Sequence, residues 1–382
     1  MISRYLSFIS ICLLFFSCSS ISIKEELNID TKYDWLSPEG NPQRTNISKS
    51  DYNLNPPFKK IWEYSNEASF PVRNLVVSDG LLFSANLKGE VYAVNVSNGT
   101  TVGSFSTSSP SSVNSILVSK NNVILSRIGE NKKSIISYNV ITGNENWSRD
   151  FGDVQSSPAL VDINLIIGNM EGNIFSVNPE SGYKNWDFSD NSEYKSNQFF
   201  SSPSVYNSSV YAGNVNGIFY SIDLKEGNLK WKFKTGNAIY ASASIFKDKI
   251  FFWSDDLNVY CLDTSGSLVW KRDLSTKSVS SFTFYNDLMI TSAIDGFIYA
   301  LRFDNGEIIW KFKTNGAIWA TPLVHQNKIF IGSFDKNIYC LNAENGDELW
   351  YFTTDGKIRS NVVIWKDLIF ASSDDKTIYC FK

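Results

Sequence analysis

The residues best equipped for chemistry are few: one histidine, five cysteines and some paired carboxylates in 382 residues. His325 has no Cys or carboxylate at ligand spacing, so it offers neither a metal site nor a nucleophile–base pair. It closes a short strand-like stretch and reads as a turn residue. Asp255 and Asp256, like Asp374 and Asp375, fall between two strand-like runs, where solvated turn residues are expected. Cys261, Cys340 and Cys380 each follow a tyrosine at one point of a recurring phrase, where other copies have Ala93, Ser137, Ser176, Ser221 and Ala300. A small buried site explains these thiols, because free cysteine behaves as a small hydrophobe. Equivalent positions in different repeats lie too far apart for a bridge, which needs Cα atoms within about 7 Å. No Cys-x-x-Cys is present to suggest redox or zinc chemistry. These groups imply no catalytic residue and no cofactor.

The elements that must position them form a repeat. An alternating strand ends near an aromatic, a turn with Gly follows, and Trp stands four residues after that Gly, as in Gly182 and Trp186 or Gly346 and Trp350. The turn glycines fall at 99, 143, 182, 227, 266, 306 and 346, with spacings of 44, 39, 45, 39, 40 and 40. A period near 40 without a helical stretch means four short strands per unit, which is a propeller blade. Asn98-Gly99, Asn305-Gly306 and Asn345-Gly346 are the short-range signal for tight hairpins. We label the strands A (opened by Ser157-Pro158, Ser202-Pro203 or Thr321-Pro322), B, C (the aromatic strand) and D (the Trp strand).

Counting closes the ring. C strands centre on 92, 136, 175, 220, 260, 299, 339 and 379, and D strands on 62, 103, 147, 186, 231, 270, 310 and 350, with Gly103 in place of Trp. The first D strand has no A–C before it, and the last blade has no D after it. Pairing residues 59–65 with 377–382 leaves no open edge. The expected fold is therefore all-β, one eight-bladed propeller over residues 59–382. Flat aromatics repeated once per blade read as inter-blade packing, each burying about 150–250 Å²; a cofactor box is the alternative.

A net charge of −4 and a pI near 5.3 argue against nucleic acid as the main partner. Residues 1–17 read as a targeting segment, with Arg4 as the positive start and Tyr5 to Phe16 as an apolar run too short to span a bilayer. Ser17-Cys18 resembles the lipobox of bacterial lipoproteins, with Phe15 where Leu is usual. That resemblance makes Cys18 the lipidation site and residues 18–58 a lipidated tether and lead-in. Ser19, which is not Asp, implies outer-membrane anchoring. A plain secretory signal cleaved nearby is the other reading.

The phrase from Asn342 through Gly346 and Trp350 to Phe352 resembles the repeat of pyrroloquinoline-quinone-type propellers, and the leader from Trp35 to Thr45 is similar to theirs. Within that superfamily, an eight-bladed lipoprotein under 400 residues resembles the BamB family of outer-membrane β-barrel assembly lipoproteins. The resemblance implies a non-catalytic scaffold that binds the periplasmic POTRA region of the barrel-inserting protein BamA, acting as a monomer within a larger complex. It places the contacts on loops 191–200 and 236–240, with Lys195, Gln198, Phe199, Phe200 and Tyr240 as candidates. The family's Arg-Gly-Glu-Ser-Ala-Pro ahead of blade 4 becomes residues 198–203 here; Ser201 and Pro203 match, whereas the Arg and Glu do not. The acidic residues that the family uses ahead of blade 5 give way to Ile239, Tyr240 and Ala241. Quinone-dependent dehydrogenases share the repeat but are longer and carry a vicinal Cys pair and a Ca²⁺ site; no Cys-Cys occurs here. A ligand-sensing or carbohydrate-binding propeller is a further alternative and would need a polar, aromatic-lined pocket at the channel mouth.

Aligning the blades puts Gln155, Phe200, Tyr240, Val279, Trp319 and Arg359 at one equivalent position, three residues before the Pro of strand A or its counterpart. They are expected to ring one rim of the central channel. Phe, Tyr, Trp and Arg are hot-spot types, so Trp319 and Arg359 join Phe200 and Tyr240 as partner-binding candidates. Residues that merely plug the channel are the bland alternative.

Overall fold

The computed structural model describes residues 21–107, 112–128, 133–190 and 197–382. Eight antiparallel sheets of four strands each stand around a central channel, and among the described residues every named element is a strand. Blade 4 shows the pattern: Ser204–Tyr206 (A), Ser209–Gly213 (B), Ile218–Asp223 (C) and Leu229–Lys234 (D). Strand B is wholly buried and C nearly so, because neighbouring blades cover both their faces. Strand D alternates exposed and half-buried residues. A–B and C–D turns lie on one face of the ring, here the turn face. D–A connections and B–C turns lie on the other, the mouth face.

Blade 8 takes Val363–Trp365, Leu368–Ser372 and Thr377–Phe381 from the C-terminus and Lys60–Ser65 from the N-terminus. Trp62 stands opposite Cys380 and Tyr64 opposite Ile378, so the ring closes as the strand count predicts.

The column of small residues now has a physical reason. Each is the direct cross-strand partner of the D-strand tryptophan: Ser176 opposite Trp186, Cys261 opposite Trp270, Cys340 opposite Trp350. Only a small side chain leaves room beside an indole at that spacing. The three thiols are buried and free, and burial pushes Cys261 and Cys340 up to about 12, so they stay protonated.

The tryptophans pack between blades, as expected. Trp62, Trp147, Trp186 and Trp231 each donate the indole N–H to the carbonyl that opens the C–D turn of the next blade, at 2.8–3.0 Å. The ring of Trp147 lies flat on Gly182, where φ is +72° and a Cβ would come within 2.5 Å of the indole. Glycine is required there twice over, by conformation and by contact.

The residues that open the A strands form a belt around the channel. The Ser157 N–H donates to Ser202 Oγ, Ser202 N–H to Ser242 Oγ, Ser281 N–H to Thr321 Oγ1 and Thr321 N–H to Asn361 Oδ1, at 2.8–3.1 Å. The lead-in lies beneath. It is docked from Ile21 onward, runs along the turn face, exchanges two backbone hydrogen bonds with Val77 through Trp35, and sends residues 39–46 up into the channel.

His325 corrects an expectation. It is the last residue of strand A in blade 7 and fully buried, not a turn residue. Its Nε2 lies 2.8 Å from the Tyr52 carbonyl and its Nδ1 3.2 Å from Ser48 Oγ, so it ties the lead-in to the blade. The covering lead-in segment removed the solvent that a strand end would otherwise meet. Asp256 and Asp375 do occupy B–C turns, but they are engaged: each accepts the hydroxyl of the C-strand tyrosine, Tyr260 at 2.7 Å and Tyr379 at 2.8 Å.

Candidate partner-binding site

The D–A connections, with Asn114 from strand A of blade 2, bring residues of seven blades to the channel mouth. Val72, Arg73, Asn114, Gln155, Phe200, Tyr240, Val279 and Trp319 line a funnel of about 240 Å³. Five of the six aligned positions therefore meet on a single rim. Phe200 and Tyr240 touch edge to face with ring centroids 5.4 Å apart, and Trp319 packs on Phe334 at 5.0 Å. Arg359 stands just outside the funnel, its Nε 2.8 Å from Asp374 Oδ2 and its guanidinium 5.9 Å from the Trp319 ring. Val279 and Trp319 each keep 38 % of their surface exposed.

The funnel has a charged floor made by the lead-in. Arg44 and Glu39 pair at 2.7 Å with side-chain exposures of 2 % and 3 %. Arg44 also donates to the carbonyls of Pro203 and Ser157 at 2.9 and 2.8 Å, and Ser281 donates to Glu39 at 3.2 Å. Burial opposes the charge on Glu39, yet the Arg44 and Arg73 guanidiniums outweigh it and hold the carboxyl below its ordinary value. Burial likewise lowers Arg44, and Glu39 offsets part of that. The channel is thus closed beneath the rim by a satisfied ion pair.

Phe199 is not a surface residue. It is 1 % exposed, packs edge to face on Tyr220 at 5.8 Å, and belongs to the core between blades 3 and 4. The reason is alternation: in an extended segment consecutive side chains point to opposite sides. If Phe200 faces the channel, Phe199 must face the core. The equivalent column of Val154, Ile239, Ile318 and Ile358 is apolar and buried, with buried Ser278 of blade 6 as its polar member, and reading it in the sequence would have given the right face. Gln198 is half-buried beside this loop and its carbonyl accepts the Val215 N–H. Lys195 and Cys18 lie outside the described residues. Arg73 and Asn114, the rim residues of blades 1 and 2, were not singled out by the sequence reading.

A second cleft, about 500 Å³, opens at the seam of blades 2 and 3 beside Arg149, Phe151, Glu171, Phe175 and Tyr183. In its wall Arg149 stands where six other blades place an aromatic, two residues after the tryptophan position, and Phe175 lacks the hydroxyl of the usual tyrosine. Nothing in it converges as the mouth residues do. Among the described residues no group of three or more His, Cys, Asp or Glu is placed to hold a metal.

Comparison with known proteins agrees with this architecture. The family described as "Outer membrane protein assembly factor BamB" matches residues 54–245, 234–318 and 313–382. No curated protein matches the sequence. Among solved structures, BamB from Moraxella catarrhalis superposes with a TM-score of 0.71 at 16 % identity, covering 85 % of this chain and 99 % of that one. The quinohemoprotein alcohol dehydrogenase from Comamonas testosteroni gives 0.75 at 12 % identity, covering 93 % and 81 %. A europium-containing methanol dehydrogenase gives 0.76 at 10 %, covering 89 % of each chain. At such identities these superpositions speak for the fold alone. The family match runs through all eight blades, and the chain belongs to the family of the outer membrane protein assembly factor BamB.

Proposed function

We propose that the protein is a non-catalytic scaffold of the outer-membrane β-barrel assembly machinery, anchored through Cys18 and facing the periplasm. Its mouth face binds the POTRA region of a BamA-like partner. The observation that carries this reading is the aromatic rim: Phe200 on Tyr240, Trp319 on Phe334, and Arg359 beside them. These are the residue types that dominate binding energy at interfaces, and filling a channel would not require Arg. In place of the family's charged loop residues, this chain offers rings, so its contact is more apolar. The test is pull-down of the barrel-inserting protein from detergent-solubilised outer membranes with wild type and with the Phe200→Ala/Tyr240→Ala variant. Tenfold weaker capture with a normal melt supports the scaffold; unaltered capture rules out this rim.

The funnel itself supports a second reading, a small-ligand sensor, because Arg73, Asn114 and Gln155 add polar groups beside the rings. Pulse-labelling of outer-membrane proteins in a deletion strain separates the two. An assembly defect favours the scaffold, and normal assembly favours the sensor.

A further inference from the structure

The seam between blades 1 and 2 departs from the tryptophan rule. Gly103 stands where the indole should be, opposite Ala93. The carbonyl that an indole N–H would meet is that of Val140, and it accepts the backbone N–H of Ile23 instead, at 2.8 Å. Ile21 is 1 % exposed in the core of blades 1 and 2, and Ser22 Oγ donates to the Ile141 carbonyl at 2.8 Å. The amino-terminal segment thus fills the notch left by the missing ring, on the turn face. It fixes the chain three residues after Cys18, a stretch that reaches at most about 10 Å.

Beside this notch, blade 3 carries the two most exposed large hydrophobic residues among those described, Ile163 at 69 % and Tyr183 at 68 %. Both are turn tips. The second position of the A–B turn is Gly, Asn, Ser or Asp in every other blade; in blade 3 it is Ile163. The residue after the C–D turn glycine is polar in the other six blades that have one; in blade 3 it is Tyr183. The tips stand about two strand spacings apart, on the order of 10 Å. Cations stand on the Tyr183 side: the Arg149 guanidinium lies 5.0 Å over the Tyr183 ring, Lys184 follows it and pairs with Asp187, and Lys120 of blade 2 pairs with Glu180. An exposed aromatic and an exposed aliphatic tip, with long basic side chains beside the aromatic one, is the composition of a membrane-interface surface.

We propose that the turn face of blades 2 and 3 rests on the lipid bilayer, with Ile163 and Tyr183 entering the headgroup region. The amino-terminal segment seated at Gly103 sets that register. The proposal rests on the reading of Cys18 as lipid-bearing: a lipid within about 10 Å of Ile21 brings the bilayer to this face and leaves little room for a protein between. The mouth face then points away from the membrane.

The test uses the full chain in native membranes with a benzophenone amino acid in place of Ile163, Tyr183 or, on the mouth face, Ile294. Irradiation is expected to give phospholipid adducts at 163 and 183 at least fivefold above those at 294. Adducts no greater than at 294, or adducts to protein instead of lipid, overturn the proposal. Gly103→Trp restores the indole and expels residues 21–23, so adducts at 163 and 183 are expected to fall severalfold while the chain stays with the membrane. Unchanged adducts overturn the register. The anchor is scored separately: if Cys18→Ser still sediments with outer membranes the lipid reading fails, and the adducts at 163 and 183 then decide the surface alone.

Discussion

The Glu39 carboxylate and the Arg44 guanidinium meet at 2.7 Å in the centre of the channel, both almost wholly buried, although five residues apart on a segment outside every blade. Arg44 donates to strand-A openings of blades 3 and 4, while Glu39 accepts from Ser281 and Thr321 of blades 6 and 7. The pair therefore ties opposite sides of the ring. Removing one partner strands the other charge, so Glu39→Gln is expected to cost about 3–5 kcal/mol, read as a lower urea midpoint. Glu39 is held below its ordinary carboxyl value, so its contribution is complete above that value and lost as pH falls through the lowered one. The gap between wild type and Glu39→Gln should stay flat from pH 7 to about 5 and close in stronger acid.

His325 gives the lead-in a milder pH dependence. Burial lowers the imidazole from its ordinary value, so the neutral ring is the stable form, with Nε2–H donating to the Tyr52 carbonyl. A lowered folded value means that the stabilisation is full above about 6.5 and declines as pH falls through the lowered value. Hydrogen-exchange protection of residues 48–52 is expected to drop on acidification from pH 7 to 5, while protection of the blade cores does not. His325→Gln should flatten that response.

The ring, its blade count and its closure were legible because each rests on local residue types repeated at fixed spacing: a tryptophan, a turn glycine, an alternating strand. The rim positions were legible for the same reason. What escaped was whatever the repeat does not contain. His325 was misread because its cover is a lead-in segment 273 residues away, a contact no periodicity reveals. Phe199 was misread because two adjacent phenylalanines differ only in which side of an extended chain they face. The replacement at Gly103 was visible as a gap, but its filling by Ile21 and Ile23 needed the fold.

Closure makes its own prediction. Among the described residues, the strand Lys60–Ser65 pairs with the outer edge of Thr377–Phe381. Deleting residues 18–66 removes that strand together with the channel pair and exposes an edge ready to pair with other chains. The truncated protein is expected to unfold without the single cooperative transition of the intact ring and to associate. A monomeric, cooperatively melting truncation would show that blade 8 closes by another route.

Phe199 and Phe200 separate stability from binding within one dipeptide. Phe199 is enclosed by blades 3 and 4, and a Cβ added at Gly168 would lie 3.1 Å from its own Cβ, so the backbones are close and little can move in to fill a void. Phe199→Ala is expected to cost about 3–5 kcal/mol. Phe200 packs on Tyr240 across the open funnel, where truncation makes no enclosed cavity. The Phe200→Ala/Tyr240→Ala variant is therefore expected to melt nearly as wild type while its capture of the partner weakens by tenfold or more, equivalent to about 1.4 kcal/mol. Phe199→Ala, assayed well below its own melting temperature, should bind with near wild-type affinity once the folded fraction is normalised. If the Phe199 variant lost binding while still folded, or the Phe200/Tyr240 variant lost stability instead of binding, the rim would be core and the partner surface would have to lie elsewhere.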